Sequence, residues 1–461
     1  LAVDVAHAAD KVAVGGGNSA FAVGQNAAET AQARAAGRHG ENRACVDEDI
    51  DQTFFQAVLD DLLRAGNDDA AHMIVNLVSL ENLRGDAHVA DAAVGAAAHE
   101  DIVDGFAEQL FPGFESHVLQ CLGVGLGRDL RIDGTDSYYE NQDRTQVSFI
   151  WGNIFLQYTY AEGAGLRADE WKGALMSCYQ NLERHWSPDY KGIAGYCTLP
   201  VTAGTPDRYY DENGWMAIGL ARAYEQTGDR TYLEKARQAL NFTMSGEDDV
   251  LGGGIYFQET FAQYEPQKNT ICSAVAILAS MKLYELTNEQ GFLEDARRIE
   301  EWTRENLLDG SDDLFWDAKM VDDGAVNTQK WSYNAGFMIR GWLYLYKATG
   351  EESYLRQAKA TLASAEARWF NPVNGSLNDP GYFAFALVDA WFDLYDLEKD
   401  PSVLSKALQA IGFIHESLRD ANGRYPEYWN APLTQPLAEY DLRMQSCVAY
   451  LYMRAAGYIR K

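Results

Sequence analysis

The chain has 461 residues, 47% of them apolar, and a formal net charge of −30. Such an excess of acid repels phosphate backbones and anionic lipid surfaces, so nucleic acid is not an expected partner and an uncharged substrate is. With no unbroken apolar run of about eighteen residues, no transmembrane segment is expected either.

Composition divides the chain near residue 137. All 11 Trp and all 26 Tyr lie beyond it, whereas His7, His39, His72, His88, His99 and His117 lie before it. Residues 1–137 are rich in Ala, Val, Gly and Asp. Phe54 to Leu63 and Met73 to Leu83 are their only candidates for short amphipathic helices. Three readings fit this segment: a separate Ala-rich domain, a flexible extension, or a stretch that selection never shaped, such as a wrong-frame or wrong-strand translation joined to a real gene. The last is favoured. Gly15-Gly16-Gly17 and the alternating Gly123, Gly125 and Gly127 lack the spacing of a dinucleotide loop. The chain opens on Leu1 without signal-peptide architecture, which reads as a native start that is missing or processed away. Cys45, Cys121, Cys178, Cys197, Cys272 and Cys447 form no Cys-x-x-Cys pair and read as buried thiols. No cofactor and no metal are expected.

Residues 138–461 read as one domain built on a repeat. An apolar helix ends near a tyrosine, a short polar turn follows, and an amphipathic helix begins. Tyr224-Glu-Gln-Thr-Gly228-Asp229 and Tyr346-Lys-Ala-Thr-Gly350-Glu351 are the clearest copies, Tyr284 and Tyr395 mark looser ones, and Tyr160 and Tyr452 mark a weak first and a cut-off last one. A spacing of roughly 50–65 residues holds two ordinary helices and their loops. Gly tolerates the left-handed backbone that stops one helix, and Asp caps the next. The first helix of each pair, as in Ile271 to Leu286 or Trp331 to Tyr346, is apolar on most faces and so belongs inside. The second, as in Phe292 to Leu307, carries a charged stripe and belongs outside. Six such pairs make an all-α (α/α)6 toroid, with its sixth outer helix either absent or supplied by the front segment. The solvated outer helices are compatible with a monomer.

Loops from Ser187 to Tyr210, Ser245 to Pro266, Leu308 to Gln329, Trp369 to Asp379 and Asp420 to Ala438 then share one end of the toroid. Among them stands Tyr209-Tyr210-Asp211-Glu212, followed by Trp215 at the start of an inner helix. Glycosidic cleavage takes two carboxyl groups, and flat aromatic faces hold a sugar ring. A helix start favours an ionised Asp211, while burial and the charge of Asp211 keep a proton on Glu212. Two ordinary first-turn acids would look the same. Asp309, Asp312, Asp313, Asp317, Asp322 and Asp323 lack the spacing of a calcium loop and read as solvated.

Four marks occur in order at or just before inner helices: Tyr209-Tyr210-Asp211-Glu212-x-x-Trp215, Gly252-Gly253-Gly254-Ile255-Tyr256, Lys268-Asn269, and Trp331-x-Tyr333-Asn334. With them the region from about 140 to 461 resembles glycoside hydrolase family 76, the endo-α-1,6-mannanases. The resemblance implies retaining cleavage of an α-1,6-mannan by an extracytoplasmic protein. It makes Asp211 the nucleophile and Glu212 the acid/base, the latter standing where the family has a second aspartate. Tyr209, Tyr210, Trp215, Gly253, Gly254, Tyr256, Lys268, Asn269, Trp331, Tyr333 and Asn334 become candidates for substrate contact. Two alternatives stay open: a glycan-binding protein without turnover, and a sugar epimerase. The epimerase would need histidine acid/base pairs, and His185 and His415 sit on outer helices.

Overall fold

The structure, a computed structural model, describes residues 128–201 and 207–459. The two short helices, the glycine clusters, and Cys45 and Cys121 expected from the sequence lie outside the described residues.

Helices come in pairs: α1 (Ile150–Leu166) and α2 (Ala168–Leu182), α3 (Tyr210–Thr227) and α4 (Arg230–Met244), α5 (Thr270–Thr287) and α6 (Gln290–Leu307), α7 (Ser332–Thr349) and α8 (Glu352–Trp369), α9 (Gly381–Glu398) and α10 (Pro401–Ser417), then α11 (Leu442–Ile459). Each odd-numbered helix packs on the next odd one, and α11 packs on α1, which closes a ring of six; the even helices pack outside it. This is the expected toroid. Among the described residues no outer helix follows α11. Residues 128–148 instead cross the seam between the last pair and the first. Leu442 N–H donates to Glu140 O at 2.8 Å, Arg424 pairs with Asp129 at 3.0 Å, and Ser137 Oγ bonds Asn181 of α2 at 2.7 Å.

Burial follows the pattern of the sequence. In α5 every residue from Thr270 to Leu283 is buried, while α6 buries only one stripe, Ala296, Ile299, Trp302 and Thr303 among it. By length and composition Thr270–Thr287 is also apolar enough to cross a membrane, with a mean hydropathy of 1.3, and 78% of it is buried in the protein core. The four described cysteines, Cys178, Cys197, Cys272 and Cys447, are free and buried.

The short turns work as the repeat implies. Gly228, Asn288, Gly350 and Lys399 take left-handed backbone, with φ of +70°, +58°, +71° and +58°. Their N–H groups return to the carbonyls of Tyr224, Tyr284, Tyr346 and Tyr395 at 2.7–2.8 Å, which closes each helix end. Tyr160 and Tyr452 differ: their helices run on to Leu166 and Ile459, so neither residue marks a helix end.

The long loops all join an outer helix to the next inner one and gather at the inner helices' N-terminal end, the mouth. They fold into small antiparallel sheets absent from the sequence reading. β1 (Trp186–Ser187) pairs with β2 (Gly195–Tyr196), and β4 (Leu308–Asp309) with β5 (Leu314–Phe315). β3 (Gln267–Asn269), β6 (Ala318–Met320) and β7 (Val326–Asn327) form one three-stranded sheet, and β8 (Leu377–Pro380) pairs with β9 (Tyr428–Trp429).

Candidate active site

The N-terminal turn of α3 carries the two adjacent acids. Tyr209 precedes the helix in extended backbone, bridged to Gln258, and Tyr210 N–H donates to Phe257 O at 3.1 Å. Glu212 N–H donates to Asp211 Oδ1 at 2.9 Å, and Thr198 Oγ1 donates to Glu212 Oε2 at 3.0 Å. Both acids are half-buried. Burial pushes Asp211 up to about 7, and Asp317 adds a like charge, against the backbone N–H groups that hold its ionised form. Burial and then the charge of Asp211 push Glu212 well above the usual carboxylate range, with only Thr198 opposing. Desolvation therefore outweighs the helix terminus that led the sequence reading to an ionised Asp211, while Glu212 holds its proton more firmly still.

An aromatic wall stands beside the pair. Trp151 of α1 meets Trp215 edge-on at 5.2 Å, Tyr382 at 5.3 Å and Phe383 at 5.9 Å. Phe383 also meets Tyr333 at 4.2 Å and Trp331 at 5.3 Å. Trp215 is fully buried beneath, stacked on Phe337 at 5.4 Å, and among the described residues the indole nitrogens of Trp151 and Trp215 have no hydrogen-bond partner. Arg443 of α11 lies over Tyr382 at 4.7 Å and pairs with Asp441 at 2.6 Å. Trp151, Tyr382, Phe383 and Arg443 were not anticipated. The signal was there: Trp151, Asp211, Tyr333, Tyr382 and Arg443 are each the second residue of an inner helix.

Asp317, read from sequence as solvated, also reaches the mouth. β6 pairs with β3 so that Asn269 faces Ala318, and Thr270 N–H donates to Asp317 O at 2.9 Å. This holds Asp317 against the start of α5, where Asn327 donates to it at 3.0 Å and Asn334 at 3.5 Å. Burial pushes it up to about 6. Asn269 and Asn334 are buried, and among the described residues the amide oxygen of each has no partner. Tyr333 is buried close to Asp317 and Asp211, whose charges act on its hydroxyl after burial.

The remaining sequence candidates brace the mouth. Tyr210 stacks on Phe242 at 5.0 Å, in the layer between inner and outer helices. Tyr209 packs on Phe257 at 5.3 Å, and its hydroxyl bonds Gln258 and Gln263 at 3.1 Å. Lys268 is fully buried and donates to Asp248 at 2.6 Å and to Gly253 O at 2.6 Å. Tyr256 bonds the same Asp248 at 3.1 Å. The glycine run lets backbone approach protein: a side chain at Gly254 would meet the Trp302 ring at 2.4 Å. In the acidic loop, Asp309 and Asp312 hold Lys330 at 2.6 and 2.7 Å. His185 is buried, bonded to Cys197 O at 3.0 Å and lowered to about 4, chiefly by burial. It is not placed as an epimerase base.

A family model, glycosyl hydrolase family 76, matches residues 133–382. The chain is similar to the family 76 α-mannanase BT2949 of Bacteroides thetaiotaomicron: 60% identity, 77% of this chain and 99% of that one covered, TM-score 0.75. It is 24% identical over 187 residues to the mannan endo-1,6-α-mannosidase DCW1 of Candida glabrata, covering 38% of this chain and 42% of that protein. Of this and two further fungal relatives it spans between 33% and 45% of the length. It shares its fold with the α-1,6-mannanase GH76A of Salegentibacter sp. HEL1_6, solved as an inactive variant with two aspartates replaced and α-1,6-mannotriose bound; identity is 21%, coverage 74% and 98%, TM-score 0.61.

Proposed function

This chain belongs to glycosyl hydrolase family 76, and on that premise we propose that it cleaves α-1,6-linked mannan, or a related α-mannoside chain, with retention at the anomeric carbon. Asp211 attacks that carbon while Glu212 gives its proton to the leaving oxygen; Glu212 then takes a proton from the water that releases the glycosyl-enzyme. One observation carries this reading: two adjacent carboxyls in one helical turn hold their protons unequally beside an aromatic wall. The acid must stay protonated while the nucleophile ionises, and the charge of Asp211 acting on Glu212 sets that order. Trp151, Tyr333 and Phe383 supply ring faces for the sugar, while Asp317 and the free oxygens of Asn269 and Asn334 accept its hydroxyls. A polymeric substrate of this kind is met outside the cytoplasm, and we place the protein there.

The experiment is incubation of the full chain with α-1,6-mannan, reading released oligosaccharides across pH. Turnover rises as Asp211 ionises around pH 7 and falls at higher pH as Glu212 loses its proton. Asp211→Asn lowers turnover by at least about 10³-fold. Mannan bound but never cut would replace this reading with the non-catalytic one.

A further inference from the structure

On the mouth's rim, between the starts of α7 and α9, opens a cleft of about 350 Å3. Its walls are Trp331, Trp369, Arg368, Asp379 and the amides Gln329 and Asn378. That volume sits at the lower end of the ~300–1,000 Å3 typical of ligand sites, enough for one sugar unit and little more.

The cleft shares a wall with the catalytic mouth. The ring of Trp331 meets Phe383 at 5.3 Å, and Phe383 meets Tyr333 at 4.2 Å, beside Asp317. In the closed ring, α9 lies diametrically across from α3, so a chain cut at Asp211 that runs across the mouth reaches this rim further along its length.

The walls are built, not incidental. Trp369 and Asp379 are 5% and 4% exposed. Ser332 N–H donates to Asp379 Oδ2 at 2.8 Å and fixes the carboxylate. Lys330 also lines the cleft, its ammonium already held by Asp309 and Asp312, so it offers no free charge. The remaining set is two indoles, two neutral amides, one guanidinium and one carboxylate. Both signs of charge appear once, beside donors and acceptors. A phosphate would meet Asp379, and an apolar ligand would strand the amides. A neutral hexopyranose, flat on one face and edged with hydroxyls, satisfies all of them.

We infer that this cleft is a distal subsite that grips a hexose unit of the substrate chain remote from the bond being cut, so that long chains are preferred over short ones. The inference rests on the mannan-cleaving reading.

The test uses the full chain and a double variant, Arg368→Ala with Asn378→Ala; both residues are exposed, and neither side chain anchors the helical core. Cleavage of mannan polymer and of α-1,6-mannotriose is compared, with calorimetric binding of α-1,6-mannohexaose to each protein measured separately. The double variant loses about tenfold more kcat/KM on the polymer than on the triose, through KM, as the loss of one or two hydrogen bonds predicts. Equal losses on both substrates, or none, overturn the subsite. Hexaose that binds uncut, and binds about tenfold more weakly in the variant, supports the subsite while removing the hydrolase reading. Absence of both binding and cleavage overturns the two together.

Discussion

The inner ring carries acids at both of its ends, and the two ends treat them oppositely. At the mouth, Glu140 and Asp211 are pushed up to about 7, and Asp317 and Asp379 to about 6, each chiefly by burial. Deeper along the axis and at the far end, burial acts on Asp393 as well, yet Arg340 and Arg454 bring it down to about 2. The cations make the difference. Arg340 pairs with Asp389 at 2.9 Å and Asp393 at 2.7 Å, Arg454 with Asp393 at 2.8 Å, Arg222 with Glu162 at 2.8 Å, and Lys282 with Glu225 at 2.8 Å. Glu162, Arg222, Lys282, Tyr344, Asp393 and Arg454 come one from each inner helix, near its C-terminal end, where helix dipoles favour positive charge. Charge is compensated where it closes the ring, whereas no cation among the described residues opposes the raised Asp211 and Glu212, where a proton must move.

The largest effect expected from breaking this contrast comes from Arg340. Its side chain is fully buried between two carboxylates. Arg340→Met removes the main partner of Asp389 and Asp393 and leaves their charge stranded, which costs about 3–5 kcal/mol. Urea unfolding of the full chain at pH 7 measures it. A loss under about 1 kcal/mol would mean that the far end is not held by its ion pairs.

That far end was partly legible in the sequence and the mouth less so, for one physical reason. Turns such as Tyr224 to Asp229 are local: a glycine, a cap and a hydrophobic period lie within a few residues, so the repeat and the toroid could be read directly. Ring closure is not local. Trp151, Phe383 and Arg443 meet because α11 returns to α1 and α9, which no spacing along the chain expresses. Asp317 was misread because its loop is acidic, yet it directly follows the apolar run Leu314-Phe315-Trp316, whose first two residues are buried. That run was the available signal. The ionisation of Asp211 was misjudged because a helix start is visible in sequence and the depth of its burial is not.

The next effect concerns pH and has opposite signs at the two ends. A carboxyl with a raised folded value binds its proton more tightly when folded, so stability falls as pH climbs from about 4 to about 7. Asp393, held low, binds its proton less tightly when folded, so stability falls as pH drops from about 4 to about 2. Asp211→Asn removes one uncompensated acid at the mouth. Relative to the unaltered chain it gains about 2 kcal/mol at pH 8 and almost nothing at pH 4, while losing turnover. Thermal unfolding of both proteins at the two pH values decides it; a gain at pH 4 equal to that at pH 8 would show that the acids of the mouth are not strained by burial.

The smallest effect asks whether the far end is as fully optimised as its ion pairs suggest. Lys399 occupies the left-handed turn position that Gly228 and Gly350 fill in sister repeats, at φ +58°. A side chain in that conformation costs roughly 1–2 kcal/mol, and a glycine there adds back roughly 0.5–1 kcal/mol of chain entropy. Its ammonium pairs with Asp396 at 3.2 Å but is 61% exposed, so that contact contributes little. Lys399→Gly therefore stabilises the chain by about 0.5–1 kcal/mol and raises Tm by about 1–2 °C. A fall instead would show that Lys399 holds Asp396 in place for Arg454, which lies 3.7 Å from it, and that the charge ring of the far end extends into the turn itself.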